Sequence, residues 1–125
     1  MESMIRKLAI CACAAAGLLL AANPKIEEAQ AKLKNHKYGE AITMLTAEHK
    51  ENPKDKAVAE ALSEAHTVYG ESVMNNAPMP PARKYPTALK EFRIALELNK
   101  DNKKAKENID LIEGIYKSMG RPVPK

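Results

Sequence analysis

Five stretches of this chain repeat one arrangement, apolar side chains three and four residues apart that fill a single narrow stripe. That spacing suits the turn of an α-helix and not the two-residue alternation of a strand. The stripes are Ile26, Ala29 and Leu33 in about 24–36, and Tyr38, Ala41, Ile42 and Leu45 in about 38–50. The longest, about 54–74, carries Val58, Ala61, Leu62, Ala65, Val68, Tyr69 and Val73. Tyr85, Ala88, Leu89, Phe92, Ala95 and Leu96 mark about 85–99, and Ala105, Ile109, Ile112, Tyr116 and Met119 mark about 101–119. Short polar joints at Asn52-Pro53 and Asn99-Lys100-Asp101 separate them, and Gly120 with Pro122 beyond it predicts the final stop. A short helix with one apolar stripe cannot be stable alone in water, so the five must stack on one another.

Composition closes the other routes. With no Trp, one Phe and four Tyr in 125 residues, the chain lacks the aromatic and β-branched supply of a sandwich or barrel. No glycine-rich loop follows a strand-like run, which argues against an α/β nucleotide-binding enzyme. The length fits one domain. An all-α fold is expected.

The first 22 residues read as an export signal rather than as part of that fold. Arg6-Lys7 precedes an uncharged run of fifteen residues, Leu8 to Ala22, within the range of a signal core and short of the ~20 that span a bilayer as a helix. Ala22 is a small residue where a signal peptidase cuts, and Asn23-Pro24 behind it is a good helix start. The alternative is a segment that is never cleaved and tethers the protein to a membrane. Both cysteines, Cys11 and Cys13, lie in this stretch. Cys13 follows a small residue, as a lipid-attachment cysteine does, but the apolar run continues for nine residues past it. No further cysteine completes a metal site. The expected mature chain is therefore cysteine-free and relies on helix packing.

Twenty basic and sixteen acidic residues give a net charge of +4, and removing residues 1–22 leaves +3. The signs are interspersed, as on a solvated helical surface. A nucleic-acid binder clusters its positive charge and interleaves aromatics. This chain does neither.

A short motif occurs twice. Lys37-Tyr38-Gly39-Glu40-Ala41-Ile42 returns as Lys84-Tyr85-Pro86-Thr87-Ala88-Leu89, with Leu45 and Phe92 four residues beyond each Ala and a helix-ending joint twelve beyond. The pattern resembles the second helix of a tetratricopeptide repeat, most closely over 84–102. In that family the small Ala lets two helices approach closely, and the Tyr packs back on the preceding helix. The first-helix pattern is matched more loosely, by Ala59, Leu62, Ser63 and His66, with Ser63 at the small position. The resemblance implies a short helical solenoid over 23–119, of about five antiparallel helices: two repeats, a C-terminal capping helix, then a tail at 120–125.

Ala41 and Ala88 stand 47 residues apart, against a family period of about 34. The surplus falls around 75–83, where Pro78, Pro80 and Pro81 predict a break in helix. This Pro-rich insertion is either a lengthened loop or an arm that meets a partner through Met79 and Arg83.

Catalytic patterns are missing. His36, His49 and His66 fall on separate helices or helix ends, with no spacing that puts two metal ligands on one face. His66 is expected to be half-buried and structural, His36 and His49 to be solvated. No Ser sits in a nucleophile elbow. Neither enzymatic activity, cofactor nor metal is expected.

The resemblance implies instead a concave groove lined by the first helix of each repeat. On this chain it would be offered by Ile26, Gln30, Leu33 and Lys34, then Glu60, Glu64, Thr67 and Val68, then Lys104, Glu107 and Leu111. The Lys and Asn that clamp a carboxylate in some family members are replaced by Ile26 and Gln30. With Glu60 and Glu64 at its centre, the groove would prefer a neutral or basic segment of another protein. The expected function is non-enzymatic: an exported adaptor or assembly factor of the bacterial periplasm or cell envelope. The alternative class is a homo-oligomeric structural protein that pairs through its last helix or its open first helix.

Overall fold

The computed structural model describes residues 23–125; the expected export signal and the Cys13 question lie outside them. Five α-helices account for the described residues, with no strand among them: α1 Pro24–Lys34, α2 Tyr38–Glu51, α3 Lys56–Asn76, α4 Pro81–Leu98 and α5 Lys103–Ser118. Each packs on its neighbour in sequence, and α1 also touches α3.

Helix ends follow local chemistry. Asn23, Asp55 and Asn102 accept backbone N–H bonds at the starts of α1, α3 and α5. Two helices end in the same six-residue motif. After α5, Arg121 N–H reaches the Tyr116 carbonyl and Gly120 N–H the Lys117 carbonyl, with Gly120 at φ +64°. After α1, Lys37 N–H reaches Lys32 and His36 N–H reaches Leu33, but here a histidine holds the left-handed position, φ +60°. That turn ends α1 at Lys34, short of the expected 36, because no glycine announces it.

Prolines around 75–83 break the helix over a shorter span than expected. α3 runs on through Asn76, and α4 begins at Pro81, so only residues 77–80 are non-helical. Pro81 takes the first helical position, where a missing N–H costs nothing, and Ala82-Arg83-Lys84 are good helix formers. This extension leaves Pro86 inside α4. It removes one intrahelical bond, that to the Ala82 carbonyl.

Two apolar clusters form the core. One gathers Ala29, Leu33, Ala41, Leu45, Ala61, Leu62 and Ala65 from α1, α2 and α3. The other gathers Val73, Ala88, Leu89, Phe92, Ala95, Ala105, Ile109, Ile112 and Tyr116 from α3, α4 and α5. Ala41 and Ala88, the repeated alanines, are both fully buried, and Tyr38 and Tyr85 flank the two clusters as partly buried residues. Helix α3 therefore belongs to both halves.

Helices α3 and α4 approach closely at Gly70. Gly70 has no side chain, and a Cβ built on it would lie 2.7 Å from Phe92 Cε1 and 3.0 Å from Cζ. Phe92 itself is fully buried. A glycine in mid-helix costs about 1 kcal/mol relative to alanine; here it makes room for the ring. Nearby, Ser63 Oγ donates to the Ala95 carbonyl at 2.6 Å, so a second small residue of α3 touches the α4 backbone through its hydroxyl. Gly70→Ala is expected to destabilise by about 1–3 kcal/mol despite its helix propensity. A lower Tm in thermal unfolding checks this, with partial recovery in Gly70→Ala plus Phe92→Leu.

The last residues are not a free tail. Val123 packs on the second cluster, and Arg93 Nη1 donates to the Pro124 carbonyl at 2.8 Å. That contact holds the C-terminal segment against α4.

Candidate partner groove

Two clefts meet on the α1, α3 and α5 side. The first, about 330 Å³, lies between α1 and α3 and is lined by Gln30, Leu33, Lys34, Glu64 and Val68. The second, about 340 Å³, lies between α3 and the start of α5 and is lined by Glu60, Glu64, Thr67, Val68, Asn99, Asn102 and Lys104. Glu64 and Val68, one turn apart on α3, belong to both. The two clefts thus adjoin along one face of α3, and together they form the candidate groove.

Eight of the eleven expected groove residues line it, and the remaining three do not. Ile26 faces inward and packs beside the first cluster. Glu107 and Leu111 are exposed on α5 away from both clefts, Leu111 at 53 %. Their distance from the groove follows from the start of α5. Asn102 caps α5 and Lys103 begins it, so only its first turn lines the second cleft, while the next turn reaches α3 through Asn108 and Glu71. Leu33 is buried and forms the floor, whereas Gln30, Lys34, Glu60, Glu64 and Lys104 are exposed.

Thr67 lines the groove but offers it little. It is 2 % exposed, and its hydroxyl donates to the Ser63 carbonyl at 2.9 Å. Asn102 completes the arrangement. Its Nδ2 donates to Ser63 Oγ at 2.8 Å and to Thr67 Oγ1 at 3.0 Å, while its Oδ1 caps Ala105 N–H at 3.0 Å. One side chain thereby fixes the start of α5 on the middle of α3, and every polar atom in the cluster has a partner. Sequence reading missed Asn102 and Asn99. A helix-start signal was present at Asn102, but nothing in the sequence indicated that its amide would reach two hydroxyls 35 and 39 residues away.

Charges along the groove are unequally committed. Lys104 lies 3.7 Å from Glu71, which also accepts from Asn108 Nδ2 at 3.1 Å. Glu60 lies 3.8 Å from Lys56, one turn back on the same helix. Glu64 has no such partner among the described residues.

The first wall of the groove is anchored from behind. Glu48 of α2, its side chain only 10 % exposed, takes Lys25 Nζ at 3.0 Å and Asn23 Nδ2 at 3.2 Å. The Lys25 bond first, and the Asn23 bond next, hold the Glu48 carboxyl below the ordinary carboxylate value. The same contact holds the Lys25 ammonium above its ordinary value.

A wider hollow of about 760 Å³ opens between α1 and α2, lined by Lys25, Glu28, Lys32, Gly39, Glu40, Thr43 and Met44. Its rim is long charged side chains, with Lys32 and Glu40 4.0 Å apart across it.

The other expected residues are also accounted for. Met79 packs on the second cluster instead of facing solvent, while Arg83 is exposed on the first turn of α4. His66 is partly buried, its Nδ1 2.6 Å from Glu91 Oε2 across the α3–α4 interface. His36 is exposed and its Nδ1 lies 2.7 Å from the Tyr38 hydroxyl. His49, expected to be solvated, is partly covered, with a buried Nδ1 that has no partner among the described residues. Among the described residues no three His, Cys, Asp or Glu side chains group as metal ligands would, and no helix is long and apolar enough to cross a membrane.

Comparison with known proteins returned no match to any family model, curated protein or solved structure.

The Glu48 anchor makes stability depend on acid. A carboxyl whose pKa is lowered by folding stabilises the fold fully above its ordinary value, 4.5, and loses that contribution as pH falls through the folded value. Denaturant unfolding between pH 7 and pH 2.5 is expected to show a steeper loss of stability for the wild type than for Glu48→Gln, which cannot titrate there. Parallel curves would remove Glu48 from the account.

Proposed function

We propose that this chain is a non-enzymatic protein-interaction module, a short tetratricopeptide-like solenoid of antiparallel helices that binds a segment of another protein. The observation that carries the reading is that two adjoining clefts share Glu64 and Val68, which we read as a single groove offered by α1, α3 and α5. Support for the family resemblance comes from the repeated alanines, both fully buried, and from the aromatic position Phe92, also fully buried. It comes as well from Ser63, the residue at the small position of the first-helix pattern, which touches the neighbouring helix at Ala95. The groove has a rigid floor, Leu33 and the Ser63–Thr67–Asn102 cluster, beneath exposed polar side chains. A fixed floor with an adaptable rim suits recognition of a peptide or helix at little ordering cost.

The same reading makes the protein an exported adaptor or assembly factor of the bacterial cell envelope, released by cleavage after Ala22. Its support is the Arg6-Lys7 and Leu8–Ala22 pattern, together with Asn23, which starts α1 and bonds Glu48. A chain that begins at Asn23 keeps that whole anchor.

Two measurements test these statements. A photo-crosslinking side chain at Lys34 is expected to trap a discrete partner in cells, and Glu60→Lys plus Glu64→Lys to abolish the trapped band. A crosslinker at Thr43 is expected to trap none; bands from Thr43 alone would move the site to the α1–α2 hollow. Intact mass from an envelope fraction is expected to begin at Asn23. A mass that retains residues 1–22 would instead make the protein a tethered module, and added acyl mass a lipoprotein.

A further inference from the structure

We propose that the groove's occupant is a protein segment with a single central arginine or lysine, seated on the Glu64 carboxylate between the two clefts. This rests on the groove reading and makes it more specific. Three features of the groove carry it.

The first is the order of charge. Across the groove run Lys34 on α1, Glu60 and Glu64 on α3 and Lys104 on α5, so cations flank a central pair of anions, of which Glu64 lines both clefts. Lys104 leans on Glu71 and Glu60 on Lys56, whereas Glu64 has no ion-pair partner within 4.0 Å among the described residues. An acidic segment would place its carboxylates against Glu64. A polybasic run would place its outer cations against Lys34 and Lys104. One central cation between neutral neighbours satisfies all of these positions.

The second is the apolar surface beside that carboxylate. Val68 is half-buried one turn further along α3, and Leu33 lies buried across the first cleft. Lysine and arginine carry aliphatic stems that lie on apolar surface while the charged head reaches a carboxylate. Glu64 and Val68 together match the two parts of such a side chain.

The third is the hydrogen-bonding capacity on either side. The Gln30 amide and the Asn99 Nδ2 group have no intramolecular partner among the described residues, since Asn99 uses only its Oδ1, for Asp101 N–H. They stand on opposite flanks of Glu64. Both can bond the peptide backbone of an extended segment without reading its sequence.

Fluorescence anisotropy with the full chain tests this. Acetylated, amidated nonapeptide pools carry Arg, citrulline, Leu or Glu at the centre and mixed neutral residues elsewhere. The Arg pool is expected to bind about five- to tenfold tighter than the citrulline and Leu pools, with the Glu pool weakest. Glu64→Gln, an exposed isosteric change that leaves the fold intact, is expected to erase the gap between Arg and citrulline. Equal binding of Arg and citrulline by the wild type, or a gap that persists in Glu64→Gln, overturns the cation seat. If such equal binding is blocked by Gln30→Trp, which fills the first cleft from an exposed position, the groove itself still stands. Absence of saturable binding by every pool overturns both the seat and the groove.

Discussion

The fold turns on the contact between Phe92 and the bare backbone of Gly70. Helix α3 supplies buried residues to both core clusters, and its position relative to α4 decides how those clusters connect. A fully buried aromatic ring brings a large apolar area to that interface. It fits only because residue 70 has no Cβ to meet it 2.7 Å away. The close approach then allows Ser63 Oγ to reach the Ala95 carbonyl, a bond that a wider helix spacing would break. Interiors packed this densely transmit displacement, so a shift at residue 70 is felt at residue 63, two turns away on the same helix.

From Ser63 the constraint passes to the groove. Asn102 spends one amide hydrogen on Ser63 and the other on Thr67 while its oxygen caps α5. The placement of Lys104, two residues later, is therefore fixed by the same small cluster that fixes α3 on α4. On the far side, α1 is fixed by Glu48 through Lys25 and Asn23 at its N-terminus. Both walls of the groove are thus held by charged or polar contacts at helix starts, and the floor by apolar burial. The cleft-lining residues Gln30, Lys34 and Glu64 are left with exposed side chains. Division of labour of this kind keeps substitutions at those positions from unfolding the domain.

How much of this was legible from the sequence depends on range. Five helices and most core positions followed from period alone, since Ala29, Leu45, Leu62, Ala88 and Ile112 sit on their stripes and are buried. The stop at Gly120 was legible because glycine is the residue that adopts φ +64° without strain. The stop at His36 was not, because the same turn is held there by a residue that carries no such signal. Proline misled in the opposite direction. Pro80 and Pro81 read as breakers, yet Pro81 begins α4 and Pro86 is accommodated within it, as Met79 and Tyr85 pack on the core. Of the candidate groove, the α1 and α3 residues that the family resemblance implied line the clefts, apart from Ile26. The Asn99 and Asn102 contribution was not legible, because it depends on how far the α4–α5 joint carries the chain back across α3.

The burial of Glu48 gives the α1 wall a different character from the α5 wall. An ion pair between two exposed side chains contributes little, since water competes and both chains lose freedom. Glu48 is mostly covered while Lys25 remains half in solvent, so the carboxylate is the partner that depends on the contact. Loss of either donor would leave a largely covered anion short of hydrogen bonds, a costlier state than a lost surface pair. Asn23 matters doubly, because the side chain that supplies the second donor to Glu48 also caps the first turn of α1 through Lys25 N–H. The residue immediately after the expected cleavage point is therefore part of the fold. Processing one residue further along would remove both the cap and the Asn23 bond to Glu48, and with them the support of the groove's first wall.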